Sequence, residues 1–229
     1  MQLVIGNKNY SSWSMRPWVL LRHFGIPFEE RLVRFDSFDA GSTFKRTLAG
    51  LSPTGKVPLL LEDDGFATWD TLAIAERVAE LFPQHAVWPA DARARARARS
   101  LCAEMHSGFG ALRNHCPMNI EASLPEVGER VLREQPGVVS DWARVQALWS
   151  EALAASGGPF LFGAFSNADA YFAPVVMRAR TYGLPAPADL VAWMNRVVAA
   201  PGVADWIRDA LAEHDFLDFE EPYRSAPAR

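Results

Sequence analysis

Three serines in a short polar turn, Ser11, Ser12 and Ser14, form the candidate reaction centre of the sequence. They lie between a short apolar run at residues 3–5 and an apolar stretch at residues 18–24, so we expect a strand, a turn and a helix that begins near Ser14. A helix N-terminus offers unpaired N–H donors and partial positive charge. A serine hydroxyl held there can help to stabilise an anion such as a thiolate or a phosphate. Ordinary helix capping is the alternative role for these serines.

Two further polar segments could bind a ligand. Pro58 lies where the apolar run 59–62 begins, and an X–Pro bond at a strand start can be cis. Such a bond would turn the backbone of Val57 outward, where it could pair with a peptide ligand. Asp70 and Thr71 open a helix, and their carboxylate and hydroxyl suit an α-amino and an α-carboxylate group. Capping is again the alternative role for both.

The order of elements in the first third of the chain would bring these three segments to one edge of a sheet. The pattern predicts a strand, a helix and a second strand, then a short helix, two antiparallel strands joined by a tight turn, and a final helix. The predicted strands cover residues 3–5, 28–33, 59–62 and 66–68, and the predicted short helix covers 42–49.

The remainder of the chain has a different pattern. Two prolines, Pro83 and Pro89, mark residues 83–91 as a linker, and from residue 92 onward the pattern is helical without strand alternation. We expect about five or six helices there. Ser166 and Asp169 have the spacing of a capping box at the start of a buried helix, which favours a structural role over a catalytic one.

The motifs resemble those of a known family. The segments SPTGKVPL at 52–59 and DTLAI at 70–74 resemble the signature of the cytosolic glutathione transferases. SSWSMR at 11–16 is most similar to the serine-type members, and in particular to the zeta-class pattern S-S-C-x-W-R, with Trp13 in place of the cysteine. The resemblance implies an α/β thioredoxin-like N-terminal domain at 1–82, the linker at 83–91, and an all-α C-terminal helical domain at 92–229 that contributes the electrophile site.

The resemblance also implies a role for each site residue. Ser11 would activate the glutathione thiol, although the residues alone leave Ser12 and Ser14 as alternatives. The γ-glutamyl end would be held by Asp70 and Thr71, which replace the more usual Glu/Gln-Ser pair. The backbone of the cysteinyl residue would pair with Val57, and the lysines would meet the glycine carboxylate. The implied glutathione-binding residues are Ser12, Lys45, Lys56, Val57, Pro58, Asp70 and Thr71.

The implied activity is that of a glutathione transferase in detoxification, with glutathione as co-substrate and a small apolar electrophile as its partner. A homodimer is also implied. One alternative is a zeta-like glutathione-dependent cis–trans isomerase of the maleylacetoacetate type, and another is a non-catalytic glutathione-binding module. Arg178 and Arg180 could bind a carboxylate-bearing substrate if they point into the cleft, but solvation at the surface is the role that we favour for them. The pattern offers Met105, Phe109, Met118 and Tyr171 as wall residues of the electrophile pocket, with core packing as their alternative role.

Composition argues against several other partners. The net charge is −4, with 27 acidic and 23 basic residues, so nothing attracts the chain broadly to nucleic acid or to an anionic membrane. The N-terminus lacks a signal-peptide pattern and no apolar run is long enough to span a bilayer, so we expect a cytoplasmic protein. The alternating Arg-Ala run at 92–99 predicts a solvated helix start.

The cysteine and histidine spacings do not favour a metal site. Two cysteines are too few for a disulfide framework, so free thiols are expected. The two Cys/His pairs lack the tight spacing typical of zinc ligands, and we expect no metal. These four residues are Cys102, His106, His115 and Cys116.

Overall fold

The computed structural model describes residues 1–226 and contains one four-stranded sheet in the N-terminal part of the chain. The strand order is β2-β1-β3-β4, with β1 parallel to β2 and antiparallel to β3, and β3 antiparallel to β4. This is the mixed sheet of a thioredoxin-like domain, so the predicted fold class is confirmed. The strands are β1 (Gln2–Ile5), β2 (Glu29–Leu32), β3 (Leu59–Leu61) and β4 (Ala67–Trp69).

Helices cover both faces of this sheet. Successive side chains of a strand point to opposite faces. Leu3 and Ile5 of β1 therefore pack in the larger core together with α1 and α3, whereas Val4 packs with α2 in a smaller core. The helices are α1 (Ser12–His23), α2 (Thr43–Leu48) and α3 (Thr71–Leu81).

The start of α1 corrects the sequence prediction. The helix begins at Ser12 and not near Ser14, because the Ser11 side chain caps it by accepting a hydrogen bond from the backbone N–H of Ser14 at 3.4 Å. Pro17 lies within this helix without ending it.

Seven α-helices and a short 3-10 helix (Asp218–Glu220) follow within residues 92–226, where the sequence predicts five or six helices. The sequence pattern did not predict α5 (Gly110–His115), because its six residues are too few to show a helical period. Two others are separated by Gln135 alone, and Pro136 begins the second because its missing N–H has no helical partner there. The helices are α4 (Ala92–Ser107), α5 (Gly110–His115), α6 (Pro125–Glu134), α7 (Pro136–Ser156), α8 (Asn167–Thr181), α9 (Ala188–Ala199) and α10 (Pro201–Glu213).

The buried helix α8 joins the two parts of the molecule, since it packs against both α1 and α4. Its capping box is present as predicted, with Ser166 as N-cap and Asp169 bonded back to the N-cap backbone. The Asp169 carboxylate also accepts hydrogen bonds from the backbone N–H of Leu161 and from the indole N–H of Trp193. The residue therefore has a structural role.

The segment between α3 and α4 contains neither helix nor strand. The linker at residues 83–91 and the domain bounds on either side of it stay predictions. Asp91 then caps α4, whose first turns contain the Arg-Ala run. Both cysteines are free and buried, as expected. In the described part of the chain, 1–226, no helix combines the length and the apolarity needed to cross a membrane.

Close contact between α1 and α10 depends on Gly202. A Cβ atom at that position would lie 2.5 Å from the carbonyl oxygen of Val19 and 2.9 Å from the backbone nitrogen of His23. Because both atoms belong to the backbone of α1, neither can move aside as a side chain would.

We therefore expect Gly202→Ala to lower the free energy of unfolding by about 1–3 kcal/mol, the usual cost of overpacking. Urea denaturation measures this change. Gly110→Ala is the matched control, because no atom lies within 4 Å of a Cβ placed there. Equal free energies of unfolding for the two variants would contradict this prediction, because they would show that α1 and α10 can move apart without a loss of stability.

Candidate functional site

Two adjoining cavities lie between the sheet and the helical region. The serine cavity, of about 520 Å³, opens at the N-terminus of α1, and the polar residues of its wall include Ser11, Ser12, Lys45, Arg113, Arg178 and Glu220. The aspartate cavity, of about 370 Å³, lies beside the N-terminus of α3, and its wall includes Thr54, Pro58, Trp69, Asp70, Thr71 and His106. Trp13, Lys56 and Val57 line both cavities.

The structure brings all eight predicted site residues to these two cavities. The serine cavity receives Ser11, Ser12 and Lys45, the aspartate cavity receives Pro58, Asp70 and Thr71, and Lys56 and Val57 belong to both. The edge of the sheet predicted from the order of elements is therefore where these residues meet.

The three serines differ in what they can reach. Ser11 and Ser12 line the serine cavity, but Ser14 is fully buried and forms no part of its wall. The Ser14 hydroxyl accepts a hydrogen bond from the backbone N–H of Gly6 at 3.1 Å and lies 2.7 Å from the Ser11 hydroxyl. Ser14 can therefore hold the Ser11 hydroxyl by a hydrogen bond, and it does not contact a ligand in the cavity itself.

Two buried arginines flank the first turn of α1. Arg178, from α8, donates a hydrogen bond to the Ser12 hydroxyl at 3.3 Å, and Arg16 donates to the carbonyl oxygen of Tyr171 at 3.0 Å. Burial lowers the pKa of each guanidinium to about 10, so both stay charged at neutral pH. Their positive charge adds to that of the helix N-terminus, and an anion in the serine cavity would be stabilised.

The Val57–Pro58 peptide bond is cis, which is the conformation that the sequence allows at this position. Val57 precedes β3, and the pairing of β3 with β1 ends at Leu59, so the sheet ladder does not use the Val57 backbone groups. The ammonium group of Lys45 donates a hydrogen bond to the carbonyl oxygen of Gly55 at 2.8 Å, which holds it beside the same loop.

Asp70 occupies an unusual backbone conformation at the N-cap of α3. Its φ is +73°, a region that side-chain-bearing residues rarely adopt and that is frequent at functional sites. One carboxylate oxygen accepts a hydrogen bond from the Leu72 N–H at 3.1 Å. The Thr71 hydroxyl lies 2.7 Å from the hydroxyl of Tyr171 in α8. This contact joins the N-terminal part of the chain to the helical region beside the aspartate cavity.

Glu220 is the one carboxylate in the wall of the serine cavity as formed by residues 1–226. Its pKa is raised to about 7, chiefly by burial; the positive charge of Arg178 lowers the pKa and the negative charge of Glu221 raises it. The carboxyl group comes from the 3-10 helix after α10. Its proton therefore exchanges near neutral pH inside a cavity that is otherwise basic.

Several wall residues were not predicted as site residues. His106 was considered only as a metal ligand, and Arg113 and Glu220 carried no local signal. Of the residues considered for the electrophile pocket, Met118 and Arg178 line the serine cavity, whereas Met105, Phe109, Tyr171 and Arg180 do not. Within residues 1–226, no group of three or more His, Cys, Asp or Glu residues could hold a metal ion.

One family of known proteins matches the N-terminal part of the chain. Residues 10–81 match the family described as glutathione S-transferase, N-terminal domain. No curated protein matches the chain.

Solved structures of glutathione transferases share the whole fold. A glutathione transferase homolog from Burkholderia gl BGR1, with bound glutathione, is 27% identical, with a TM-score of 0.60, 91% of this chain covered and 96% of that one. The beta-class glutathione S-transferase of Sphingomonas chungbukensis is 24% identical, with a TM-score of 0.63, and the match covers 92% of this chain and 98% of that one. The tau-class enzyme of mango, Mangifera indica, is 19% identical, with a TM-score of 0.68 and coverages of 93% and 96%.

The titration of Glu220 predicts a pH dependence of stability. Its pKa in the folded protein, about 7, lies above the ordinary value of 4.5. The folded state therefore binds this proton more tightly than the unfolded state, and the stabilisation is lost as the pH rises from about 4.5 through about 7.

We expect Glu220→Gln to remove this loss, so that the melting temperature of the variant exceeds that of the wild type more at about pH 8 than at about pH 5. Thermal melts at the two pH values measure the difference. Glu129→Gln, at an exposed position of α6, is the control. A difference between Glu220→Gln and wild type that does not change with pH would contradict the raised pKa.

Proposed function

We propose that this chain, with the glutathione S-transferase fold and a matching N-terminal domain, is a glutathione transferase that binds the tripeptide across both cavities and activates its thiol. The observation that carries the proposal is the convergence of the eight predicted residues on two adjoining cavities. The glutathione bound in the 27%-identical Burkholderia structure also supports it.

The proposed pose follows from the charges of the tripeptide. Its γ-glutamyl end, with an ammonium and a carboxylate, lies in the aspartate cavity against Asp70 and Thr71. The cysteinyl backbone pairs with the free backbone groups of Val57, and the glycine carboxylate meets Lys45 and Lys56. This order leaves the thiol in the serine cavity, at the N-terminus of α1.

Ser11 is the proposed donor to the sulfur. A free thiol has a pKa of about 8.5, and hydrogen bonds to the thiolate lower it. When the ligand binds, the Ser11 hydroxyl turns from Ser14 toward the sulfur, and the Ser14 hydroxyl then donates to Ser11 while it accepts from Gly6. Each bond in such a chain polarises the next. The thiolate is further stabilised by the helix N-terminus and by the charges of Arg16 and Arg178.

The electrophile is proposed to bind in the rest of the serine cavity. Apolar side chains form part of its wall, among them Phe35, Phe38 and Met118. The thiolate attacks the electrophilic carbon, a C–S bond forms, and the electron pair leaves with the departing group. Arg113 and Arg178 in the same wall favour an anionic leaving group or an acidic substrate.

The two arginines also support a second candidate function, the zeta-like isomerase. A cis-unsaturated dicarboxylic acid would place a carboxylate against Arg113 or Arg178, and reversible addition of the thiolate would permit rotation about the former double bond. The zeta-class similarity, the homodimer and the detoxification role come from the sequence resemblance alone. The cytoplasmic location comes from the sequence pattern, and all four stay predictions.

We expect Ser11→Ala to lower kcat about 100-fold, because loss of one preorganised donor to an anion typically costs that much. The assay uses a dinitro-substituted aryl chloride, and maleylacetone for the isomerase, each with and without glutathione. Ser100→Ala, at an exposed serine of α4, is the control. A melt of Ser11→Ala verifies that loss of the helix cap, typically about 1 kcal/mol, leaves the protein folded.

Each outcome of this assay has a distinct meaning. Turnover of maleylacetone alone would favour the isomerase. Binding of glutathione without turnover of either substrate would contradict the proposed enzymatic activity and favour the non-catalytic glutathione-binding module. Full activity of Ser11→Ala with loss of activity in Ser12→Ala would move the role to Ser12, whose hydroxyl accepts from Arg178 and so has its own proton free to donate.

A further inference from the structure

His106 lies at the C-terminal end of α4, yet it forms part of the wall of the aspartate cavity. Its ring packs against Trp13, with 5.1 Å between ring centroids, and one third of its side chain is exposed. It does not line the serine cavity, so it is not placed to accept a proton from the thiol. Of the two cavities, it can therefore contact a ligand only in the aspartate cavity.

Both nitrogens of the imidazole have a polar neighbour. Nε2 lies 3.3 Å from a carboxylate oxygen of Asp70, and Nδ1 lies 2.9 Å from the hydroxyl oxygen of Tyr171. The same Tyr171 hydroxyl lies 2.7 Å from the hydroxyl of Thr71. The side chains of Asp70 and Thr71, adjacent in sequence, are thus also joined through His106 and Tyr171 of the helical region.

This link restrains groups that would otherwise rotate. The Asp70 side chain is 44% exposed, and the Leu72 N–H holds only one of its oxygens. The other oxygen faces His106. Tyr171 is fully buried in α8, and its single hydroxyl proton can serve only one of its two neighbours, so it must accept from the other. The orientations of the imidazole and of the Thr71 hydroxyl are therefore coupled.

Nearby cations hold the same region in place. Arg113 of α5 donates a hydrogen bond to the carbonyl oxygen of His106 at 3.1 Å. The guanidinium of Arg16 lies 4.6 Å from the Tyr171 ring centroid and 4.2 Å from that of Trp13. The link is thus built from α1, α3, α4, α5 and α8, and it is complete only when the helical region is packed against the sheet.

We propose that His106 is a positioning residue that makes the aspartate cavity selective for an amino-acid end group. Through the imidazole and the Tyr171 hydroxyl it fixes the Asp70 carboxylate, which meets a ligand ammonium, at a set distance from the Thr71 hydroxyl, which meets the adjoining carboxylate. This inference rests on the proposed function, in which that end group is the γ-glutamyl moiety of glutathione.

Calorimetry with two thiol ligands tests the role of His106. Glutathione carries the γ-glutamyl group and cysteinylglycine lacks it. His106→Ala should bind glutathione about tenfold more weakly, as expected for loss of a hydrogen bond to a charged group, and should bind cysteinylglycine as the wild type does. In turnover, KM for glutathione should rise while kcat changes less than about twofold, since the bond acts on binding.

Two more variants separate positioning from general structure. His106→Gln should recover most of the affinity, because its amide nitrogen reaches about as far as Nε2. Tyr171→Phe, which keeps the ring, should weaken glutathione binding in the same direction, and adding it to His106→Ala should cause little further loss because both act through one link. His115→Ala, on the neighbouring helix α5 and outside both cavity walls, is the control and should bind both ligands normally.

The outcomes that overturn the inference differ from those that overturn the proposed function. Absence of glutathione binding by the wild type would contradict the proposed function and this inference with it. Normal glutathione binding by His106→Ala, or an equal loss of affinity for both ligands, would overturn the role of His106 alone.

Discussion

The guanidinium groups of Arg16 and Arg178 are buried and need hydrogen-bond partners. This need determines how the N-terminal α/β part of the protein packs against the helical region. A charge removed from water must be paired or hydrogen-bonded. Arg16 finds backbone carbonyl oxygens of Tyr171 and Ser12, and Arg178 finds those of Arg113 and Cys116 together with the Ser12 hydroxyl. These bonds join the first turn of α1 to the helical region. They also leave two positive charges beside the serines, where a thiolate would need them.

The same contact between the two parts produces two chemically different cavities. Around the serine cavity, cations and a helix N-terminus create a positive environment with apolar walls, which suits a thiolate and an electrophile. Around the aspartate cavity, a carboxylate, two hydroxyls and an imidazole create a polar environment, which suits a zwitterionic end group. Trp13 lies in the wall of both cavities. One ligand of tripeptide length can therefore use both environments.

The sequence predicted correctly those helix starts that depend on interactions between neighbouring residues. The capping box of Ser166 and Asp169 and the helix start at Asp70 depend on neighbouring residues, so the sequence revealed them. The start of α1 was placed two residues late because the pattern did not show which of three serines would be the cap. His106, Arg113 and Glu220 reach the cavities through packing between distant segments, which no local pattern encodes. The eight predicted site residues of the α/β domain line the two cavities because their segments adjoin one sheet edge.

Thiol activation by the N-terminus of α1 and the two buried arginines can be measured from the ionisation of glutathione bound to the folded wild-type protein. The ultraviolet absorbance of the thiolate, followed as a function of pH in the complex and in free glutathione, gives both pKa values. We expect a bound thiol whose pKa lies clearly below the free value of about 8.5. A bound thiol that titrates at or above the free value would contradict it.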